Sequence, residues 1–259
     1  MQRLALSLAL SLFLLPSCGS NPDRTADAGA ATTSTSSTSP TRAGGGAGEW
    51  TDLLAGGNLD NWHSYNQDEP GSAWILDDEG VVYLDASNKG EHGVIGGGDL
   101  TTNESYANYE LELEWKISDC GNSGIIYNVT EAEDLGASYL SGPEMQIIDN
   151  SCHADAEINK HRAGDLYDMK VGAPETVKPA GAWNMVRLVV TDGHVEQWLN
   201  GTMVVSYNNT GSEWDSLIAD SKFKDWEQFG KTTSGKISLQ DHGDPVWFRN
   251  IRIRPLEAR

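Results

Sequence analysis

The run Tyr109–Ile117 alternates without a break: Tyr109, Leu111, Leu113, Trp115 and Ile117 are large and apolar, and every residue between them is charged. Successive side chains of a strand point to opposite faces, so a period of two specifies a strand with one face in a core and the other in water. Downstream the chain reads as a meander. Segment 185–191 is strand-like, Asp192-Gly193 is a type I′ turn signal, 194–199 is strand-like again, and Asn200-Gly201 signals a turn before 202–207. Segments 237–240 and 246–253 add two strands, and the one helix expected is 212–219, with Ser212 as N-cap and Asp215 three residues on. Many short strands joined by turns predict an all-β antiparallel sandwich.

The N-terminus is an address rather than part of the fold. Residues 1–17 carry one positive side chain, Arg3, and an apolar run from Leu4 to Leu15, which reads as a secretory signal peptide and is short for a membrane span. The run ends in Leu15-Pro16-Ser17-Cys18. That ending resembles a bacterial lipobox, in which the chain is cut before Cys18 and the cysteine is lipidated; an ordinary signal peptide with a chance cysteine is the alternative. Two or more acyl chains anchor a protein stably without spanning the bilayer, so the expected location is the bacterial cell envelope, at the outer membrane or facing the periplasm. Residues 18–48 are rich in Ser, Thr and Gly with almost no large apolar side chain. Such a segment cannot offset its ordering entropy and is expected to be a disordered tether. One folded domain is expected over 49–259.

The chain has 38 acidic and 18 basic residues, a net charge of −20, which repels phosphate backbones and argues against a nucleic-acid partner. Of its 3 cysteines, setting Cys18 aside leaves Cys120 and Cys152. An even pair in an oxidising compartment favours a disulfide, with two free buried thiols as the alternative.

Two polar clusters on this β scaffold suggest a sugar site. Residues 142–168 crowd Glu144, Gln146, Asp149, His153, His161 and Asp168 together, and Gln240-Asp241-His242-Gly243 forms a turn between the last two strand-like segments. On a strand Glu144 and Gln146 share a face, with Met145 and Ile147 on the other. Glu144 is the first candidate for a general base, with Asp149 and His153 as alternatives; it could instead cap a loop or pair with an arginine such as Arg249. Asp149-Asn150 could equally be a turn, the commoner use of that pair. His242 is a candidate acid or substrate ligand. Asn122, Gln146, Gln240 and Arg249 are candidates for binding sugar hydroxyls, although Asn122 could simply shape a turn and Arg249 could be an ordinary ion-pair partner. Asp149, His153, His161 and Asp168 have the atom types that ligate a divalent metal, with no compact motif joining them.

Six motifs in order carry a family resemblance: GNSGI (121–125), GPEMQIIDN (142–150), RAGDLYD (162–168), WN…R (183–187), VEQWLNG (195–201) and LQDHG…VWFRNIRIRPL (239–256). From about Trp50 onward the chain resembles the bacterial 3-keto-disaccharide hydrolase domain family, the 3-keto-glucoside 1,2-lyase/3-keto-2-hydroxyglucal hydratases. The resemblance implies a concanavalin A-like jelly-roll sandwich of two curved antiparallel sheets with a carbohydrate groove on the concave face. It also implies a 3-keto-glycoside substrate, supplied by a separate sugar 3-oxidoreductase. A ketone at C3 acidifies the C2 proton; a base removes it, the C1 substituent leaves, and water adds back. That chemistry needs a base near neutral pKa, an acid for the leaving oxygen, and a positive group or metal for the enolate. A non-catalytic carbohydrate-binding lipoprotein and a classical glycoside hydrolase with two carboxylates are the competing readings.

Overall fold

The computed structural model describes residues 47–90 and 93–258. The expected signal peptide, Cys18 and residues 18–46 of the tether lie outside the described residues. Seven short strands come first: β1 (Thr51–Asp52), β2 (Trp62–Ser64), β3 (Trp74–Leu76), β4 (Val81–Leu84), β5 (Lys89–Gly90), β6 (Gly93–Val94) and β7 (Leu100–Thr102). The longer strands follow: β8 (Tyr109–Ile117), β9 (Asn122–Val129), β10 (Glu144–Ile148), β11 (Asn184–Thr191), β12 (His194–Leu199) and β13 (Thr202–Asn208). Helix α1 (Gly211–Ala219) precedes β14 (Lys236–Leu239) and β15 (Val246–Pro255). An eight-stranded sheet runs β13-β12-β11-β8-β15-β4-β3 with β1 added on β15, and a five-stranded sheet runs β10-β9-β14-β7-β2. Every pairing is antiparallel, including the small β5–β6 hairpin.

The alternation of β8 explains how the sheets meet. Tyr109, Leu111, Leu113, Trp115 and Ile117 are at most 2% exposed and join one core with Ile125, Tyr127, Met145, Ile147 and Leu239 of the five-stranded sheet. Each such side chain contributes about 1.5–3 kcal/mol by leaving water. One polar chain crosses this core: the Tyr127 and Tyr207 hydroxyls lie 2.6 Å apart, and Gln197 Nε2 donates to the Tyr127 hydroxyl at 3.0 Å. On the other face of β8 the acids are taken up by β15. Arg249 pairs with Glu114, Arg252 with Glu112 and Arg254 with Glu110, while Arg187 of β11 also reaches Glu110. Trp183 lies 4.1 Å under the Arg249 guanidinium, Trp198 lies 4.8 Å from that of Arg187, and Trp50 packs 4.5 Å from Arg252 and Arg254. The Glu112 and Glu114 pairs are partly exposed and such pairs contribute only about 0–1 kcal/mol each, while Glu110 is buried and takes two arginines, so this ladder chiefly opposes register slippage between β8 and β15.

Both turn signals of the meander form as expected. Asp192 and Gly193 have φ of 50° and 78°, and Asn200 and Gly201 have 51° and 82°, the paired positive φ a type I′ turn demands. The helix begins one residue earlier than expected. Thr210 is its N-cap and makes no side-chain cap bond, and Ser212 is already inside; Gly211, at φ 74°, takes the left-handed bend that lets the helix start there.

Candidate active site

Strand β10 turns Met145 and Ile147 into the core and Glu144 and Gln146 outward. On β9, Gly124 stands opposite Gln146 and Asn122 opposite Ile148, and Gln240 continues β14 by donating its backbone N–H to the Gly124 carbonyl at 2.9 Å. The outer face of the five-stranded sheet therefore gathers Asn122, Glu144, Gln146 and Gln240 on the floor of a pocket of about 350 Å³. His242 completes that side, and Tyr139, Tyr167, Lys222, Phe223 and Trp226 form the remaining walls.

Gly124 makes room for the carboxylate: a Cβ there would stand 1.9 Å from Glu144 Oε1. Glu144 is 7% exposed and has neither a hydrogen-bond donor nor an ion-pair partner among the described residues. Burial pushes its pKa up to about 8, with Lys222 opposing the rise and Asp99 and Asp155 adding to it. The Oδ1 of Asn122 is also buried without a partner. Both residues line the pocket, so the amide oxygen and the carboxylate present unused hydrogen-bonding capacity to whatever occupies it.

The turn holding His242 is fastened by its neighbour. Asp241 Oδ2 accepts from the backbone N–H of Val94 (3.0 Å) and Gly98 (2.9 Å), its Oδ1 from Gly243 (2.9 Å), and its own N–H donates to Asp99 Oδ1 (2.9 Å). The opposite wall hangs on His161. Its Nε2 lies 3.0 Å from Asp168 Oδ1, and its Nδ1 lies 3.0 Å from Asp155 Oδ1 without hydrogen-bond alignment. The ring packs 4.3 Å from that of Tyr167, whose hydroxyl donates to Asp155 Oδ2 at 3.0 Å. Asp168 Oδ2 in turn accepts from the Lys222 N–H at 2.5 Å.

Several candidates from the sequence are not brought to the pocket. Asp149 is a turn residue: its carboxylate accepts from Ser151 N (3.0 Å), Ser151 Oγ (2.7 Å) and Cys120 N (2.9 Å). Burial raises its pKa, but these bonds outweigh that and hold it below the usual carboxylate range, the wrong direction for a base. His153 caps a short 3₁₀ turn, its Nδ1 accepting from Asp155 N at 3.1 Å, and its ring lies 6.4 Å from that of His242 without lining the pocket. Arg249 is on the outer face of the other sheet, bound to Glu114, so it neither reaches Glu144 nor a sugar in this pocket. The four candidate metal ligands do not converge. Among the described residues the one group of three with ligand atoms within 4.8 Å is Cys120, Asp149 and Cys152, and the two cysteines are joined in a disulfide with Cα atoms 4.7 Å apart.

A larger hollow of about 520 Å³ lies over the outer face of the eight-stranded sheet, lined by Trp50, Glu112, Glu114 and Arg252 among others. Glu112 there pairs with Arg252 and Glu114 with the neighbouring Arg249, which leaves little unsatisfied chemistry on those two acids.

Residues 49–254 match the 3-keto-alpha-glucoside-1,2-lyase-like domain family. The chain belongs to that family. It is 35% identical over 226 residues to the 3-keto-disaccharide hydrolase of Bacteroides thetaiotaomicron, spanning 79% of this chain and 78% of that protein. A crystal structure of a proposed glycosyl hydrolase from Parabacteroides distasonis superposes with a TM-score of 0.71 at 30% identity, covering 80% of this chain and 94% of that one. A Bacillus subtilis protein with a galectin-like fold superposes with a TM-score of 0.51 at 13% identity, covering 83% and 99% of the two chains. The fold is thus the concanavalin A-like jelly roll that the sequence motifs imply.

Within this family domain, sequence reasoning missed Lys222 and the aromatic walls Tyr139, Tyr167 and Phe223. The available signal was local composition: Ser221 to Trp226 interleaves lysines with aromatics. No periodic pattern marks that segment, because it is a 3₁₀ turn, Lys222–Asp225.

Proposed function

We propose that this protein cleaves 3-keto-glycosides by elimination across C1–C2 followed by rehydration, a net glycoside hydrolysis. Family membership supports an enzyme acting on sugars. The observation that carries the finer reading is that, among the described residues, Glu144 is the one carboxylate lining the pocket and has no bonding partner. A classical glycosidase places two carboxyl groups on either side of the scissile bond. Removal of a C2 proton next to a ketone needs a single base with a pKa near the working pH, and burial gives Glu144 that property. A binding module, by contrast, gains nothing from an unpaired buried acid, whose desolvation destabilises the fold.

Glu144 takes the C2 proton in this reading. His242, at the pocket mouth, supplies a proton to the departing C1 oxygen and later activates the incoming water. Asn122, Gln146 and Gln240 hydrogen-bond the ring hydroxyls, with Trp226 and Tyr139 offering apolar faces to the sugar. The 3-keto substrate must come from an enzyme that oxidises C3. We further propose that the protein works in the cell envelope, held by lipid on Cys18.

The test is turnover in deuterated water of a glucoside and of its 3-keto derivative. The expected outcome is cleavage of the keto sugar alone, with deuterium at C2 of the product, and a fall of at least about 10²-fold for Glu144→Gln. Cleavage without C2 label, under conditions where the substrate itself does not exchange, would reject elimination.

A further inference from the structure

The proposed reaction places negative charge on the C3 oxygen when the C2 proton leaves, and the sequence offered Arg249 as a ligand for the sugar's oxygens. Arg249 is committed to Glu114 on the far sheet. The cation that lines the pocket is Lys222. We infer that Lys222 is the catalytic electrophile of this site, its ammonium hydrogen-bonding the C3 oxygen and stabilising the enolate; the inference rests on the elimination reading.

Three observations carry it. The first is placement. The backbone of Lys222 is pinned by its N–H on Asp168 Oδ2, and Ser221 Oγ accepts from the next N–H, that of Phe223, at 3.1 Å. Its Nζ lies 4.0 Å from the Tyr167 ring centroid and 5.3 Å from that of Phe223, and the Tyr167 ring is itself held by His161 and Asp155. The second is free valence. An ammonium has three N–H donors, and no acceptor among the described residues takes a hydrogen bond from Lys222 Nζ. Ring contacts attract the charge but leave those donors available to an oxygen. Most other cations near a carboxylate are spent: Arg162 on Glu175, Lys236 on Glu131, and the four arginines of β11 and β15 on Glu110, Glu112 and Glu114.

The third is spacing. Glu144 and Lys222 line the same pocket and feel each other's charge, yet they do not form a direct ion pair. A base and an electrophile that work on adjacent atoms need to be held apart by the group they act on. A contact pair would neutralise both before substrate arrived. The residue as a whole is exposed, but its ammonium end is partly desolvated, which lowers its pKa against the raising effect of Glu144. Loss of water around the ammonium strengthens its attraction for an oxyanion.

The electrons balance as follows. The Glu144 carboxylate bonds the C2 proton, the C2–H pair forms the C2–C3 double bond, and the carbonyl pair moves to the C3 oxygen beside the Lys222 ammonium. The pair then returns: C3=O re-forms, C1=C2 forms, and the C1–O bond breaks with its oxygen taking a proton. Lys222 stays protonated throughout.

The experiment uses wild type, Lys222→Met and Lys222→Arg on a 3-keto-glucoside, and follows C2 proton exchange by NMR on 3-keto-1,5-anhydroglucitol, which has no exocyclic leaving group at C1. Wild type should exchange the C2 proton of that analogue. Lys222→Met should lower both kcat and the exchange rate by about 10²-fold with KM changed little, the signature of an interaction made in the transition state. Lys222→Arg should recover about tenfold of the loss, because it restores a donor of the same charge. An exchange rate in Lys222→Met within about threefold of wild type would overturn the role of Lys222 while leaving elimination standing. A change in KM alone would also overturn it, by reducing Lys222 to a binding residue. Absence of exchange in wild type would instead overturn the elimination reading. Thermal unfolding of each variant separates these outcomes from misfolding.

Discussion

Burial with no bonding partner among the described residues destabilises the ionised form of Glu144, so its protonation is linked to folding and, in the proposed reaction, to turnover. With its pKa raised to about 8, the base becomes competent only as pH rises. The expected kcat/KM profile therefore climbs through neutrality and levels off above about pH 8, and a profile already flat from pH 5 would contradict this. The sign for stability is opposite. Below the ordinary carboxylate value, about 4.3, Glu144 is neutral in both folded and unfolded chains. As pH rises toward 8 the unfolded chain ionises freely while the folded one resists, and stability is lost. Glu144→Gln should thus raise Tm little at pH 4 and progressively more up to about pH 9, read by calorimetry across that range. Part of this site was legible because β10 alternates: once 144–148 is a strand, Glu144 and Gln146 must share a face. Lys222 was not legible, because its role comes from Tyr167, Asp168 and Glu144, distant in sequence and joined to it only by the fold.

Among the elements, the ones read correctly are those whose signal is local. Strand β8 announces itself by period two, and the Asp192-Gly193 and Asn200-Gly201 turns by residues that tolerate positive φ. What escaped was pairing. Nothing in the run Arg249, Arg252 and Arg254 says that its partners are Glu114, Glu112 and Glu110, so Arg249 was open to assignment as a sugar ligand until β15 was seen lying on β8. The disulfide is an element-scale feature too. Cys120 ends the turn before β9 and Cys152 follows β10, so the bond ties together the two strands that carry Asn122 and Glu144. Cross-links of this kind contribute about 2–4 kcal/mol, and for a domain of this size each kcal/mol moves Tm by about 2–4 °C. Cys120→Ala with Cys152→Ala should therefore melt several degrees lower in non-reducing buffer, and reductant should lower wild type toward the same value. Identical melting of the two proteins would show that the bond does not brace the domain.

For the whole molecule, the charge of −20 and the expected anchor act together. A strongly acidic domain is repelled from anionic lipid surfaces, so in the proposed arrangement the acyl chains on Cys18, and not the protein surface, hold it at the membrane. No helix among the described residues is long and apolar enough to cross a bilayer. Cys18→Ser, expressed in a bacterial host, should accordingly move the protein from the membrane fraction to the soluble fraction; unchanged membrane association would remove the lipid anchor. The pocket adds a different consequence. Its lining runs from Asn122 to His242, and the floor is continuous only after β14 has slotted between β9 and β7. Long stretches of sheet and core can exist before that step, yet no contiguous early portion of the chain holds base, cation and histidine together. Turnover is consequently a certificate of completed assembly: a nascent, nicked or half-unfolded domain can display strands and charge without exposing a half-made reactive centre to the sugars around it.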